Sequence, residues 1–107
     1  MKLPKSLRIG SMKYTVEPMT TEQYQLANAV GLCDKAQNSI HIHMDLCETK
    51  LWSTLLHESL HGMIEEVAMP INDQEEELFV SHLERILCSF IRDNPKFIDD
   101  LQEVLRG

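Results

Sequence analysis

The sequence predicts a single α+β domain, with a small N-terminal β-sheet packed against helices from the second half of the chain. Apolar and polar residues alternate with period two in parts of the first half, as they do in half-buried strands. From about residue 49 onward the apolar residues instead recur at helical spacing. A length of 107 residues is enough for one modest core, so one domain is expected over residues 1–107.

The first predicted strand is Lys13–Glu17, which is rich in β-forming residues and stops at Pro18. Because proline cannot donate a hydrogen bond to a sheet, this segment is interpreted as an edge strand or an early strand. The next segment, Thr20–Ala29, fits either a short helix capped by Thr21 or an alternating strand. It therefore stays unassigned.

A second strand is predicted at Ser39–Met44, after a turn over Asp34–Asn38. Its alternation places three apolar side chains on the core face, namely Ile40, Ile42 and Met44. The two histidines of the segment, His41 and His43, then lie on the opposite face, where exposed positions are expected.

The second half predicts three helices. The first runs from Thr49 to about Ala68, with Thr49 or Asp45 as its N-cap and with Trp52 as a core residue. Met69 and Pro70 end this helix.

The second helix is predicted from Asp73 to about Arg92, antiparallel to the first. Its start is indicated by Asn72 or Asp73 as a cap, followed by three glutamates that suit the first turn of a helix. A short closing helix is predicted over Pro95–Arg106. Four apolar residues near this junction are expected to pack in the core: Phe90, Ile91, Phe97 and Leu101.

The composition excludes several classes of partner. Ten Lys and Arg against seventeen Asp and Glu leave a formal charge of -7, which disfavours a nucleic-acid groove. No apolar run approaches the length of a signal peptide or a membrane span, so a cytoplasmic protein without a membrane anchor is expected. The three cysteines, Cys33, Cys47 and Cys88, lack C-x-x-C spacing and are expected to be buried, reduced thiols.

The first predicted helix contains one motif that is typical of a metal site, His57-Glu58-Ser59-Leu60-His61. Histidines four residues apart lie on one helix face, so both imidazoles can bind one metal ion. A catalytic zinc takes three protein ligands and keeps one position open for water, whose pKa it lowers to about 7. Glu58, one residue past the first histidine, is then placed to act as general base and later as proton donor.

The third ligand is not determined by the motif. The second helix returns past the first, and its opening turns offer four candidate donors: Glu75, Glu76, Glu77 and His82. The apolar periodicity slightly favours Glu76, and each candidate also has an ordinary structural explanation as a helix-terminus carboxylate or a surface histidine. Zinc is the default ion for such a site, although manganese, cobalt or iron could occupy the same ligands.

Four segments resemble small phage and bacterial zincin-like proteins, which are minimal relatives of the ImmA/IrrE-type metallopeptidases. The resemblance covers roughly residues 13 to 95, and its segments are residues 38–42, 54–64, 76–83 and 92–95. It implies a minimal zincin-like domain and a glutamate in the opening turn of the second helix as third ligand, at Glu77. Gly62 stands where such relatives often have alanine, a mild departure that leaves the metal ligands unchanged.

The resemblance also implies a function. A zinc-dependent metallopeptidase acting on a peptide or protein substrate is expected, with Glu58 as general base, and for a phage-encoded protein the location would be the host cytoplasm. The strand at Ser39–Met44 could pair with an extended peptide, unless both of its edges are already taken within the sheet. Two alternatives stay open: a non-catalytic metal-binding or partner-binding module, and a structural or regulatory phage protein. The oligomeric state is not predicted.

Overall fold

The computed structural model describes residues 2–107 and contains a four-stranded mixed sheet and four helices, which confirms the predicted α+β class. The strands are β1 (Ser6–Ile9), β2 (Met12–Pro18), β3 (Gly31–Asp34) and β4 (Ser39–Ile42). The helices are α1 (Thr21–Ala27), α2 (Glu48–Glu66), α3 (Asp73–Asp93) and α4 (Pro95–Arg106).

The strands are ordered β1-β2-β4-β3, so the two strands predicted from the sequence are the two inner ones. β2 pairs antiparallel with β1 and parallel with β4, and β3 pairs antiparallel with β4. The edge interpretation of Lys13–Glu17 is therefore wrong. Pro18 is tolerated because it is the last residue of β2, where the missing N–H donor falls at the end of the ladder. β4 likewise has a partner on each side, which removes it as a strand that a peptide could join.

One face of the sheet packs on α2 and forms the main core. Tyr14, Ile40 and Ile42 are fully buried there. Ile9 and Leu55 are buried beside them. The prediction for Met44 is wrong, since β4 ends at Ile42 and Met44 lies beyond it, 48% exposed.

The segment left unassigned in the sequence forms α1, which begins after Thr20 rather than Thr21. The Thr20 hydroxyl accepts a hydrogen bond from the Gln23 backbone N–H, and the Gln23 side chain accepts one from the Thr20 N–H. This reciprocal capping box satisfies two backbone donors that the helix itself leaves without partners. Asn28 then ends the helix in the left-handed conformation.

α2 begins one residue earlier than predicted, and its N-cap is Cys47, whose side chain makes no capping hydrogen bond. Thr49 and Asp45 are therefore both wrong as caps. α3 follows the prediction closely, because Asn72 caps it and forms a second capping box with Glu75. Trp52 is half-buried in α2.

α2 and α3 run antiparallel and enclose a second, smaller core formed by Leu60, Ile64 and Val80. The side-chain contacts give the direction: His61, late in α2, meets Glu76, early in α3, whereas His57 meets the later Glu84. This arrangement confirms the predicted return of the second helix along the first.

α4 begins at Pro95, as predicted, but none of its residues is buried. The expected core packing of Phe90, Ile91, Phe97 and Leu101 is wrong, because their exposed fractions lie between 42% and 52%. The Phe90 and Phe97 rings do meet edge to face, with centroids 5.7 Å apart. No helix within residues 2–107 has the length and apolar character needed to cross a membrane.

Candidate metal centre

The two histidines of the motif lie one turn apart on α2 and face the first turns of α3. There they meet Glu77, and the three side chains each offer one donor atom within 4.8 Å of the others. Glu77 bridges the pair, with Oε1 3.0 Å from His57 Nε2 and Oε2 2.8 Å from His61 Nε2. Of the four candidates for the third position, Glu77 is thus the one whose carboxylate lies between the two Nε2 atoms.

This donor set fits a zinc ion in its chemistry and nearly fits in its dimensions. Two imidazole nitrogens and one carboxylate are the ligands of many catalytic zinc sites. Donor atoms around a tetrahedral zinc are about 3.4 Å apart, as follows from bond lengths near 2.1 Å. The three donor atoms, one from each residue, lie within 4.8 Å of one another, so the side chains must draw together to reach this spacing, and Glu77, which is 59% exposed, has room to move.

The other ring nitrogen of each histidine is held by a second carboxylate. His57 Nδ1 lies 3.2 Å from Glu84 Oε1, and His61 Nδ1 lies 2.5 Å from Glu76 Oε2. Metal-binding histidines commonly donate their second N–H in this way, which fixes the ring orientation. Both imidazoles are therefore oriented with Nε2 towards Glu77.

Glu76 is buried, with 7% of its surface exposed, and it pairs with a cation. Lys35 Nζ lies 3.0 Å from its Oε1 and 2.8 Å from its Oε2. Burial alone would raise the pKa of Glu76, but the hydrogen bonds from Lys35 and His61 outweigh burial and lower that pKa below its ordinary value. Glu76 is thus an ionised carboxylate at neutral pH.

Glu58 lies beside the histidines, and only 8% of its surface is exposed. Burial raises its pKa from 4.5 to about 7, an effect that the nearby His57 opposes and the Glu77 carboxylate reinforces. A carboxyl group with this pKa can both accept and release a proton near neutral pH, which is the property required of a general acid–base group.

Gly31 makes room for the Glu58 side chain. A Cβ atom on Gly31 would lie 2.9 Å from Glu58 Oε2 and 2.7 Å from the Thr54 methyl carbon. Glycine at the start of β3 is therefore required by the close approach of α2, and not by backbone conformation.

These residues line one cavity of about 670 Å³ between β3, α2 and the start of α3. His57, Glu58, His61 and Glu77 all contribute to its wall. Cys33 also lines it, and burial, reinforced by the Glu58 charge, raises the pKa of that thiol to about 12. A thiol with that pKa is uncharged at neutral pH and is a poor metal ligand.

The remaining candidates from the sequence lie elsewhere. Glu75 belongs to the capping box of α3, and His82 Nδ1 lies 2.8 Å from the backbone oxygen of Leu78 on the exposed side of that helix. His41 Nε2 lies 3.1 Å from the Ser39 hydroxyl, and the His43 ring stacks on Tyr24. Neither His41 nor His43 lines the cavity, and each is half-buried rather than exposed.

Three residues of the site were missed in the sequence. Glu84 follows Glu77 by seven residues, which is two helical turns, so the two side chains lie on the same face of the helix. This helical spacing is the signal in the sequence that could have identified Glu84. Gly31 and Lys35 carry no comparable signal, because their roles depend on the packing of β3 and its turn against two helices.

Cys47 is exposed and Cys88 is half-buried, and neither contributes to the cavity wall. The expectation of three buried thiols is therefore wrong for Cys47, which precedes α2 on the surface.

Comparisons of the chain with protein-family models, with curated proteins and with solved structures each found no match. The class defined by the fold and the site together is a small α+β domain with a His-His-Glu cluster beside a buried glutamate.

Proposed function

We propose that this protein is a zinc-dependent hydrolase that cleaves peptide bonds. The observation that carries the proposal is the convergence of His57, His61 and Glu77 on one point, with the buried carboxyl group of Glu58 in the same cavity wall. Three protein donors with one side open to a cavity are typical of a catalytic zinc site, whereas structural zinc sites close their shell with a fourth protein ligand.

The bound zinc ion would supply a Lewis acid for the substrate carbonyl and for water activation. The proton transfers fall to Glu58, whose side chain takes the proton from the attacking water and later delivers it to the leaving amine. Its buried position against Gly31 supports this role, because bulk water is kept from most of its surface. The Nδ1 contacts to Glu76 and Glu84 keep both imidazole Nε2 atoms directed at the ion.

A peptide substrate is supported by the position of β3. Within residues 2–107, β3 pairs only with β4, so its outer edge offers backbone donors and acceptors to an extended chain. Gly31, Leu32 and Cys33 of this strand line the cavity that contains the histidines. An extended peptide paired with β3 would therefore pass the proposed zinc site. In this proposal β3 takes the role that the sequence suggested for the strand at Ser39–Met44.

The proposal is tested by metal content and by one isosteric substitution. Purified protein, its His57→Ala variant and its Glu58→Gln variant are analysed by elemental mass spectrometry and assayed on a mixture of unstructured peptides. We expect about one zinc per chain in the wild type and in Glu58→Gln, and none in His57→Ala. Peptide cleavage should be lost in His57→Ala because the zinc is lost. It should also be lost in Glu58→Gln, which retains the metal ligands but cannot accept a proton.

A matched control is Glu66→Gln, which makes the same chemical change at the last residue of α2, next to Gly10. Its zinc content and peptide cleavage should equal those of the wild type. If the wild type takes up no zinc even when it is offered, the hydrolase proposal fails, and a binding module without metal becomes the better account. Zinc binding with cleavage unaffected by Glu58→Gln would instead refute the role of Glu58.

A further inference from the structure

We propose that Lys50 determines the substrate preference of this site, by binding a carboxylate that lies about three residues to the C-terminal side of the cleaved peptide bond. The inference rests on the proposed function and deepens it, because it names the substrate class. That class is peptides with an acidic side chain or a free C-terminus at this distance. Both sources present the same chemical group, a carboxylate.

Lys50 lies on the same face of α2 as the two histidines of the motif. His57 follows it by seven residues and His61 by eleven. At about 100° per residue, both histidines then lie within about 20° of Lys50 around the helix axis. All three residues line the cavity. Lys50 is therefore part of the wall that a peptide follows towards the proposed ion.

Among the residues that the structure describes, Lys50 is the lysine of the cavity wall that forms no ion pair. The other lysine of the wall is Lys35, whose Nζ lies 2.8 Å from a carboxylate oxygen of Glu76. Because α3 runs antiparallel to α2, Glu84 is the carboxylate of α3 in the wall that is nearest to the Lys50 end. It lies 3.2 Å from His57 Nδ1. The charge of Lys50 is thus available to a carboxylate of the substrate.

The two ends of the cavity differ in charge. Lys50 is in the first turn of α2, about 10 Å before His57 at a rise of about 1.5 Å per residue. At the other end, where the last turns of α2 meet the start of α3, the wall contains the exposed Asp73. A short peptide has a positive N-terminus and a negative C-terminus. This polarity therefore favours a peptide whose C-terminus points towards Lys50.

The edge of β3 favours the same direction. Gly31, the first residue of β3, lies against Glu58, whereas Lys35, just after the last residue of β3, meets Glu65 further along α2. β3 therefore runs in the same sense as α2, away from Lys50. A peptide whose C-terminus points towards Lys50 pairs with β3 antiparallel, which is the slightly more stable of the two arrangements.

The spacing along α2 gives the position of the carboxylate. An extended peptide advances about 3.4 Å per residue, so the roughly 10 Å between Lys50 and His57 along the helix corresponds to about three residues. The cavity volume of about 670 Å³ is in the range of sites that hold small ligands. The preference is therefore expected for a carboxylate close to the cleaved bond and not for a distant one.

The test uses the full-length zinc-loaded protein and four peptides of one unstructured sequence. The peptides have glutamate or glutamine at one internal position and a free or amidated C-terminus, so that each source of the carboxylate is varied alone. Mass spectrometry of the products locates the cleaved bond, and the peptides are compared by kcat/KM. Lys50→Met removes the charge and Lys50→Arg retains it. The matched control is Lys13→Met, the same change at an exposed position of β2 outside the cavity wall.

We expect the wild type to prefer peptides with the carboxylate at this distance by about fivefold in kcat/KM, the upper range for an ion pair at a solvent-exposed site. The preference should disappear in Lys50→Met and remain in Lys50→Arg and Lys13→Met. In the wild type it should also decrease as the salt concentration is raised, since salt screens exposed charges. The peptides that differ only at the C-terminus, and those that differ only in glutamate, show which carboxylate is bound.

The inference would be overturned by a wild type without this preference, by an equal preference in folded Lys50→Met, or by a preference for carboxylates on the N-terminal side of the cleaved bond. Each of these results would leave the hydrolase proposal standing. If the zinc-loaded wild type cleaves no peptide, the proposed function fails instead. Titration of the same four peptides, followed by NMR, then decides about Lys50, because the difference in affinity must again be present in the wild type and absent in Lys50→Met.

Discussion

Gly31 and Glu58 approach each other so closely that a methyl group on the glycine would lie 2.9 Å from a carboxylate oxygen of the glutamate. Real Cβ atoms do not come this near, so Gly31→Ala must displace either the Glu58 side chain or the Thr54 methyl group, which would lie 2.7 Å away. We expect this substitution to destabilise the protein by about 1 to 3 kcal/mol, as overpacking usually does. It should also impair the proposed cleavage while zinc stays bound.

The control for this change is Gly62→Ala, which adds the same methyl group on α2. Its Cβ would lie 3.0 Å from Ile9 Cδ1, an atom that has to shift by only a few tenths of an ångström, and alanine gains roughly 1 kcal/mol over glycine in a helix interior. We therefore expect near-neutral stability and unchanged cleavage. Urea denaturation and a peptide assay on both variants check the pair. Equal cleavage by the two variants would contradict the assigned contact at Gly31.

Three consecutive glutamates at the start of α3 have different roles, and one substitution at each separates them. Glu77→Gln removes a proposed ligand and should weaken zinc binding most, beyond the roughly 10- to 100-fold typical of losing an outer partner. Glu76→Gln should fall within that range, because Glu76 meets only the far nitrogen of His61. Glu75→Gln should have no effect on zinc, since glutamine can replace glutamate in the capping box.

Competition titrations with a chelator give all three affinities. A larger loss in Glu76→Gln than in Glu77→Gln would reverse the assignment and make Glu76 the ligand. The apolar periodicity of α3 slightly favoured this assignment of Glu76 as the third ligand.

The buried Glu58 carboxyl group makes the stability of the metal-free protein depend on pH. Its pKa in the folded chain is about 7, above the ordinary value of 4.5, so between these values the folded state binds more protons than the unfolded state. Its contribution to stability is therefore fully present below about pH 4.5 and is lost as the pH rises through 7. The whole shift corresponds to roughly 3 kcal/mol.

Urea denaturation in the presence of a chelator at pH 5.5 and pH 8 measures this effect. The wild type should be less stable at pH 8 than at pH 5.5, and Glu58→Gln should reduce the difference because an amide does not ionise. Glu66→Gln serves again as the control with the same chemical change. An equal pH dependence in Glu58→Gln and the wild type would show that other groups cause it.

The cysteines should differ in reactivity in the folded protein. Cys47 is exposed before α2, whereas burial raises the pKa of the Cys33 thiol to about 12 and thus keeps it protonated. With iodoacetamide at pH 7.5, we expect Cys47 to be alkylated first and Cys33 only after unfolding in urea. Peptide mass spectrometry locates the label. Early labelling of Cys33 would mean that β3 opens readily beside the site.

The helical half of the fold was predictable because its signals are local. The apolar stripes of α2 and α3, the Asn72 cap and Pro95 at the start of α4 each act within a few residues. The histidine pair is part of the same local pattern, since helical geometry alone puts residues 57 and 61 on one face.

The sheet was predicted less well because its order depends on distant contacts. β1 and β3 were missed: alternation over four residues is a short signal, whereas the alternation that predicted β4 ran over the six residues 39–44. The choice among Glu75, Glu76 and Glu77 was open for a related reason. It depends on the rotation of α3 against α2, which the packing of Val80 on Leu60 and Ile64 determines.

α4 gives the last prediction, because this helix contributes no buried residue to the domain. Val104 and Leu105 are 74% and 75% exposed, so removing residues 95–107 costs little apolar burial. The shortened chain should bind zinc with wild-type affinity and unfold at nearly the same urea concentration. As a comparison, Val80→Ala truncates a fully buried side chain between α2 and α3 and should cost about 1 to 3 kcal/mol. If the shortened chain lost its zinc affinity, α4 would have to support the metal site through α3, the helix it follows.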